Sequence, residues 1–92
     1  MKQLEIIEIC SLNKSRELLE KQISELCDQM SAASVDVGLK VFLNGFIEGN
    51  FSIHLLYETK ESNVRKSALG ERLAEALREC GMVNHNVWMQ RK

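Results

Sequence analysis

His54 sits inside an apolar run, with Ile53 before it and Leu55 and Leu56 after it. Strand alternation puts it on one side with Phe42, Phe46 and Leu56. Glu8 occupies the same side of the first strand, adjacent in the expected sheet. A histidine near a carboxylate in an apolar cleft can act as a general base, because its pKa can be moved within the working range. His54 and Glu8 are therefore the expected catalytic pair. Phe42, Phe46 and Trp88 could wall a pocket for a flat organic ligand, with Asn86 orienting it, as pockets combine apolar walls with a few placed polar groups. Each residue also has a plainer reading. His54 could hydrogen-bond to glutamate within an interface, and the aromatic rings could be that interface's core. His85 has the opposite parity and should face the helices, though a one-residue bulge would reverse it. It is held as a reserve candidate.

Other chemistry lacks its residues. No serine–histidine–aspartate order, phosphate-binding loop, dinucleotide fingerprint or HExxH pattern is present. Enzyme function would rest on a cleft alone, and no cofactor is expected. The histidines and scattered carboxylates lack ligand spacing, so no metal site is expected. Cys10, Cys27 and Cys80 are widely spaced and form no CxxC pair. They read as small buried hydrophobes in a reducing compartment. Twelve basic and thirteen acidic residues give a net charge of −1, whereas nucleic-acid binders usually gather a basic excess on one face. The loose basic cluster Lys60, Arg65, Lys66 and Arg72 is broken by Glu61 and Glu71, so no nucleic-acid partner is expected. No apolar run approaches the ~20 residues needed to span a bilayer. No signal-peptide pattern opens the chain. A membrane is not an expected partner, and a cytoplasmic location is the default.

The elements that must position these residues follow from periodicity. Ninety-two residues, 45% apolar and 27% charged, suit one soluble globular domain spanning 1–92. Leu4 to Leu12 reads as a strand with apolar residues on both parities. Asn13 or Ser15 offers an N-cap, and Leu19, Ile23, Leu26, Met30 and Ala33 mark the stripe of a helix from about Lys14 to Ala33. Leu18 and Cys27 widen that stripe. Asp36 to Glu58 alternates as a β-hairpin. Asn44-Gly45 and Glu48-Gly49-Asn50 compete for its turn. The second is preferred because Phe46 and Ile47 would continue the alternation, leaving Gly45 as a bulge or close approach. A polar connection, Lys60 to Lys66, precedes a second helix that starts between Ser62 and Ser67 and ends at Cys80. Ser67 can cap it, and an anion at those amides is the less economical alternative. Gly81 should be its C′ glycine. Gly70 costs helix stability and implies a tight packing contact. Met82 to Gln90 is the last strand.

The order βαββαβ is the split βαβ signature of the ferredoxin-like α+β fold. It predicts a four-stranded antiparallel sheet with two helices on one face. The helix-facing parity would hold Ile7, Ile9, alternate residues from Val37 to Leu43 and from Ile53 to Tyr57, and Val83, Val87 and Met89. The other face would carry Leu4, Ile6, Phe42, Phe46, Leu56 and Trp88. An antiparallel sheet facing water should read polar there, and this patch exceeds what monomers usually expose. A homodimer joined through the open sheet face is therefore expected.

With that element order, the doubly apolar first strand and the aromatic open face, the chain resembles the dimeric α+β barrel superfamily. The segments Ser67 to Leu77 and Val83 to Trp88 look like that superfamily's signature. It includes the antibiotic-biosynthesis monooxygenases and the stress-responsive barrel proteins. The resemblance implies a homodimeric small-molecule protein, with a cofactor-independent monooxygenase or isomerase among the activities to test. A ligand sensor without turnover and a protein-interaction module are the alternatives.

Overall fold

The computed structural model describes residues 2–11, 15–31, 37–59 and 65–91. Their elements are β1 (Lys2–Cys10), α1 (Arg16–Ser31), β2 (Gly38–Leu43), β3 (Asn50–Glu58), α2 (Ala68–Leu77) and β4 (Met82–Met89). The strands form one sheet in the order β2-β3-β1-β4, with each neighbouring pair antiparallel. This is the ferredoxin-like α+β fold expected from the element order. The core lies between one sheet face and the helices. Ile7, Ile9, Phe51, Ile53 and Leu55 meet Leu19, Ile23 and Cys27 of α1 and Leu73, Ala74 and Leu77 of α2.

Ser15 opens α1, accepting from the Leu18 amide at its Oγ. The buried line of α1 is Leu19, Ile23 and Cys27, and Leu18 turns outward at 48% exposure. The sequence had placed Leu18 in the stripe. Buried positions spaced by four leave its azimuth outside the core. The proposed helix limits Lys14 and Ala33, the cap candidate Asn13, Leu12, the hairpin start at Asp36 and the connection 60–64 lie outside the described residues.

The chain turns at Glu48-Gly49, the preferred site, but the strand does not continue up to it. β2 stops at Leu43, and the hairpin register pairs Leu43 with Phe51. The Asn44 side chain accepts from the amides of Phe46 and Ile47, at 2.8 and 2.9 Å. This local bond turns the chain before the alternation can continue. Phe46 is consequently in the connection, fully exposed, and not on the sheet. Gly45 has nothing within 4 Å of a notional Cβ, so it marks no close approach. Gly49 is the constrained residue. Its φ is +86°, and a Cβ would lie 2.2 Å from the Ser11 carbonyl oxygen. Its own carbonyl accepts from the Ser11 amide at 2.9 Å.

The end of α2 also differs. Arg78 is the C-cap, and Gly49 is the one glycine with positive φ among the described residues. Gly81 is therefore not a left-handed C′ residue. A Cβ there would meet the Cys10 carbonyl oxygen at 2.4 Å, so close approach to β1 is what demands glycine. Among the described residues no helix is long and apolar enough to cross a membrane.

Replacing Gly49 by alanine should cost roughly 2–4 kcal/mol, combining left-handed strain with the clash on Ser11. Gly45→Ala should stay within about 0.5 kcal/mol of the parent. Urea midpoints at constant slope measure both.

Candidate functional site

The sheet register sorts the open face into rows across the strands. Gly38, Leu56, Leu4 and Trp88 form the first row. Lys40, His54, Ile6 and Asn86 form the second, and Phe42, Ser52, Glu8 and Asn84 the third. Asn50, Cys10 and Met82 end the face. Of the six site residues named from sequence, His54, Glu8, Phe42, Asn86 and Trp88 share this face, and Phe46 does not.

A groove of about 480 Å³ opens over the third and fourth rows. Glu8, Cys10, Phe42, Asn50, Ser52 and Asn84 are among its lining residues. Trp88 and Asn86 lie outside it, towards the other end of the sheet. The Oδ1 atom of Asn50 has no hydrogen-bond partner among the described residues.

His54 borders this groove through its contacts. Its ring centroid is 4.6 Å from that of Phe42, tilted by 50°. Its Nε2 is 2.9 Å from the Ser52 Oγ. It does not pair with Glu8. His54 faces Ile6, and Glu8 faces Ser52, which makes the two residues diagonal neighbours, roughly 7–8 Å apart. They can serve one ligand from two sides, but the resting structure does not join them. Among the described residues, no group of three metal-ligating side chains forms.

A different set of ionisable groups is joined, on the helix side. Glu5 is fully buried. Its Oε1 accepts from the Tyr57 hydroxyl at 2.5 Å and from the Ser67 amide at 2.8 Å. Its Oε2 lies 2.7 Å from the Nε2 of His85, whose side chain is 2% exposed. Gln3 donates to the Tyr57 hydroxyl and to the Arg65 carbonyl. The helix N-terminus thus does receive an anion, and the anion is the chain's own carboxylate. Ser67 completes the cap by accepting from the Gly70 amide. Gly70 makes the approach possible, because a Cβ there would fall 1.9 Å from Glu5 Oε2 and 3.1 Å from His85 Nε2. His85 faces the helices as its parity requires, without a bulge.

Sequence reasoning found Gly70 and the orientation of His85 but missed Glu5 as their partner. The available signal was Glu5's parity, which it shares with Ile7 and Ile9. A carboxylate on a buried parity must find donors. Among the cysteines, Cys27 is buried, while Cys10 and Cys80 are only half-buried. Burial, followed by the charge of Asp28, pushes the Cys27 thiol up to about 11.

Burial first, then the hydrogen bond and charge of Glu5, raises the Tyr57 phenol above its ordinary value of 10.0. An unfolded tyrosine releases its proton at pH ~10 while the folded one keeps it. The unfolded state then binds fewer protons, so stability should fall as pH rises beyond that point. Tyr57→Phe should make the fall shallower in urea titrations at successive alkaline pH values. Gly70→Ala should cost roughly 2–4 kcal/mol at neutral pH, because the Glu5 carboxylate must leave its donors.

No protein-family model matches the sequence, and no curated protein matches it. Solved structures do match the fold. A mutant of SnoaB, a cofactor-independent oxygenase from Streptomyces nogalater, superposes with a TM-score of 0.71 at 9% identity, covering 99% of this chain and 94% of that one. PA3566 from Pseudomonas aeruginosa gives a TM-score of 0.69 at 14% identity, covering 99% and 95%. Rv0793 from Mycobacterium tuberculosis gives 0.68 at 11% identity, covering 100% and 97%. The chain shares the ferredoxin-like α+β fold of these solved structures.

Proposed function

We propose that this protein binds a small organic molecule in the open-face groove and works as a homodimer joined through that face. The observation that carries this reading is the apolar exposure opposite the helices. Phe42, Leu56, Trp88 and Met82 are 49, 45, 59 and 80% exposed. Covering what remains exposed on those side chains would contribute roughly 3–7 kcal/mol per copy before association costs. The face spans four strands about 4.8 Å apart and about eight residues rising 3.3 Å each, a projected area of roughly 500 Å². Two such faces reach the ~1,000 Å² expected of a specific interface, before side-chain relief is added.

The groove's size falls within the ~300–1,000 Å³ range of ligand pockets. Its contents supply both apolar walls and hydrogen-bonding groups. SnoaB, with the same fold, is a cofactor-independent oxygenase, and cofactor-free oxygenation or isomerisation is the chemistry proposed here. His54 is the proposed base, with Glu8 across the groove to orient the substrate or take part in proton transfer. The free cysteines fit a reducing compartment such as the cytoplasm.

One observation favours a second reading, binding without turnover. The nitrogen of His54 nearest a partner meets a serine hydroxyl and not a carboxylate. A ligand sensor would need no more than that.

Sedimentation velocity at micromolar concentration should give a dimer, and a lone subunit would end the pairing reading. Mass spectrometry of protein purified without denaturant should find a retained compound. Phe42→Ala should weaken its retention at least about tenfold, equivalent to ~1.4 kcal/mol. With that compound as substrate, His54→Ala should abolish turnover while leaving binding measurable. Full activity in that variant would remove His54 from the chemistry.

A further inference from the structure

The sole tryptophan and the groove occupy opposite ends of one face. Trp88 stands beside Leu4, whereas Cys10 lines the groove. Leu4 and Cys10 are separated along β1 by a distance of roughly 20 Å, at about 3.3 Å per residue. One end of the face therefore presents an exposed indole, and the other a hollow. A two-fold axis lying between facing sheets and running across the strands turns one face end for end over the other. It sets each indole over the other copy's hollow, and the isologous contact is made twice. An axis along the strands would set indole end against indole end and leave both hollows uncovered.

Resting on the pairing proposed above, we infer that the ligand site is shared between two copies. The groove of one copy supplies the floor, with Glu8, Asn50 and Phe42, and the partner's Trp88 supplies the outer wall. That axis keeps each strand's lateral position, so the partner's indole comes down on the β4 side of the groove, over Met82 and Asn84. A flat aromatic ligand on that floor stacks against it with an offset. The acceptors on the floor define its polar edge. Glu8 offers carboxylate oxygens, and Ser52 and Asn84 line the same floor. The ligand class is therefore an aromatic molecule bearing O–H or N–H groups.

Two measurements test the shared wall, both in a Cys80→Ser background. In the first, Trp88→Cys is treated with a bis-maleimide whose span of roughly 10 Å matches the spacing of two stacked sheets, and its cross-links are mapped by peptide mass spectrometry. Positions 10 and 88 lie roughly 20 Å apart within one chain, beyond that reach. A cross-link between them can thus form only between copies, and it is the expected product. The second measurement keeps Trp88. A nitroxide placed on Cys10 should quench most of its emission in the dimer, with recovery on dilution to subunits. Cys27 stays unlabelled because its buried thiol is held protonated. If the cysteine variant fails to pair for want of the indole, the quenching measurement decides. A dimer with neither linkage nor quenching overturns the shared wall and leaves the pairing intact. A subunit that never associates overturns both.

Discussion

The arrangement of this molecule depends on a carboxylate that cannot reach water. Removing an ionisable group from solvent is costly unless hydrogen bonds replace what water supplied. Glu5 meets that demand by drawing on three other elements at once, through Tyr57 of β3, Ser67 at the start of α2 and His85 of β4. Helix dipole and amide both favour negative charge where Ser67 stands. The bond set therefore fixes α2 in translation and in rotation over the sheet. Leu73, Ala74 and Leu77 enter the core as a consequence. Apolar packing alone would tolerate small slides of the helix, whereas directed bonds to one residue do not.

The opposite face obeys a different constraint. With both helices on one side, no described residue covers the other, yet that face mixes apolar and polar residues. Such a face is neither a solvent face nor a plain core. The row containing Trp88, Leu4 and Leu56 suits contact with another apolar surface. The row containing Glu8, Ser52 and Asn84 lines the groove with the row that ends the face. In the proposed function, assembly and ligand binding divide one sheet between them by position along the strands. Fold alone could not fix that division. It follows from which residues the register brings level.

Most of the architecture could be read from local pattern. Alternation identified the strands and their faces, and the parity of His85 alone aimed it at the helices. Gly70 was legible as an anomaly, a glycine inside a helix that something must approach. The unread parts depend on contacts between residues distant in sequence. Glu5, Tyr57, Ser67 and His85 span most of the chain, and no window contains two of the four partners' reasons for being there. The length of β2 was misread for a related cause. Asn44 captured the next amides locally, while Gly49 answered to Ser11 at the far end of β1. The pairing of His54 with Glu8 needed the strand register, which places them one row apart. Parity could establish a shared face but not a shared level.

β2 lies at the margin of the sheet, and among the described residues its outer edge has no strand beside it. It is short, bounded by Gly38 and by the turn at Asn44, and its Val41 and Leu43 are 40 and 47% exposed. A foreign strand laid along it would gain only a brief ladder, with the charge of Lys40 held close by. Length and charge together thus limit open-ended stacking of subunits into fibrils. Growth by this margin would be weak even in concentrated protein.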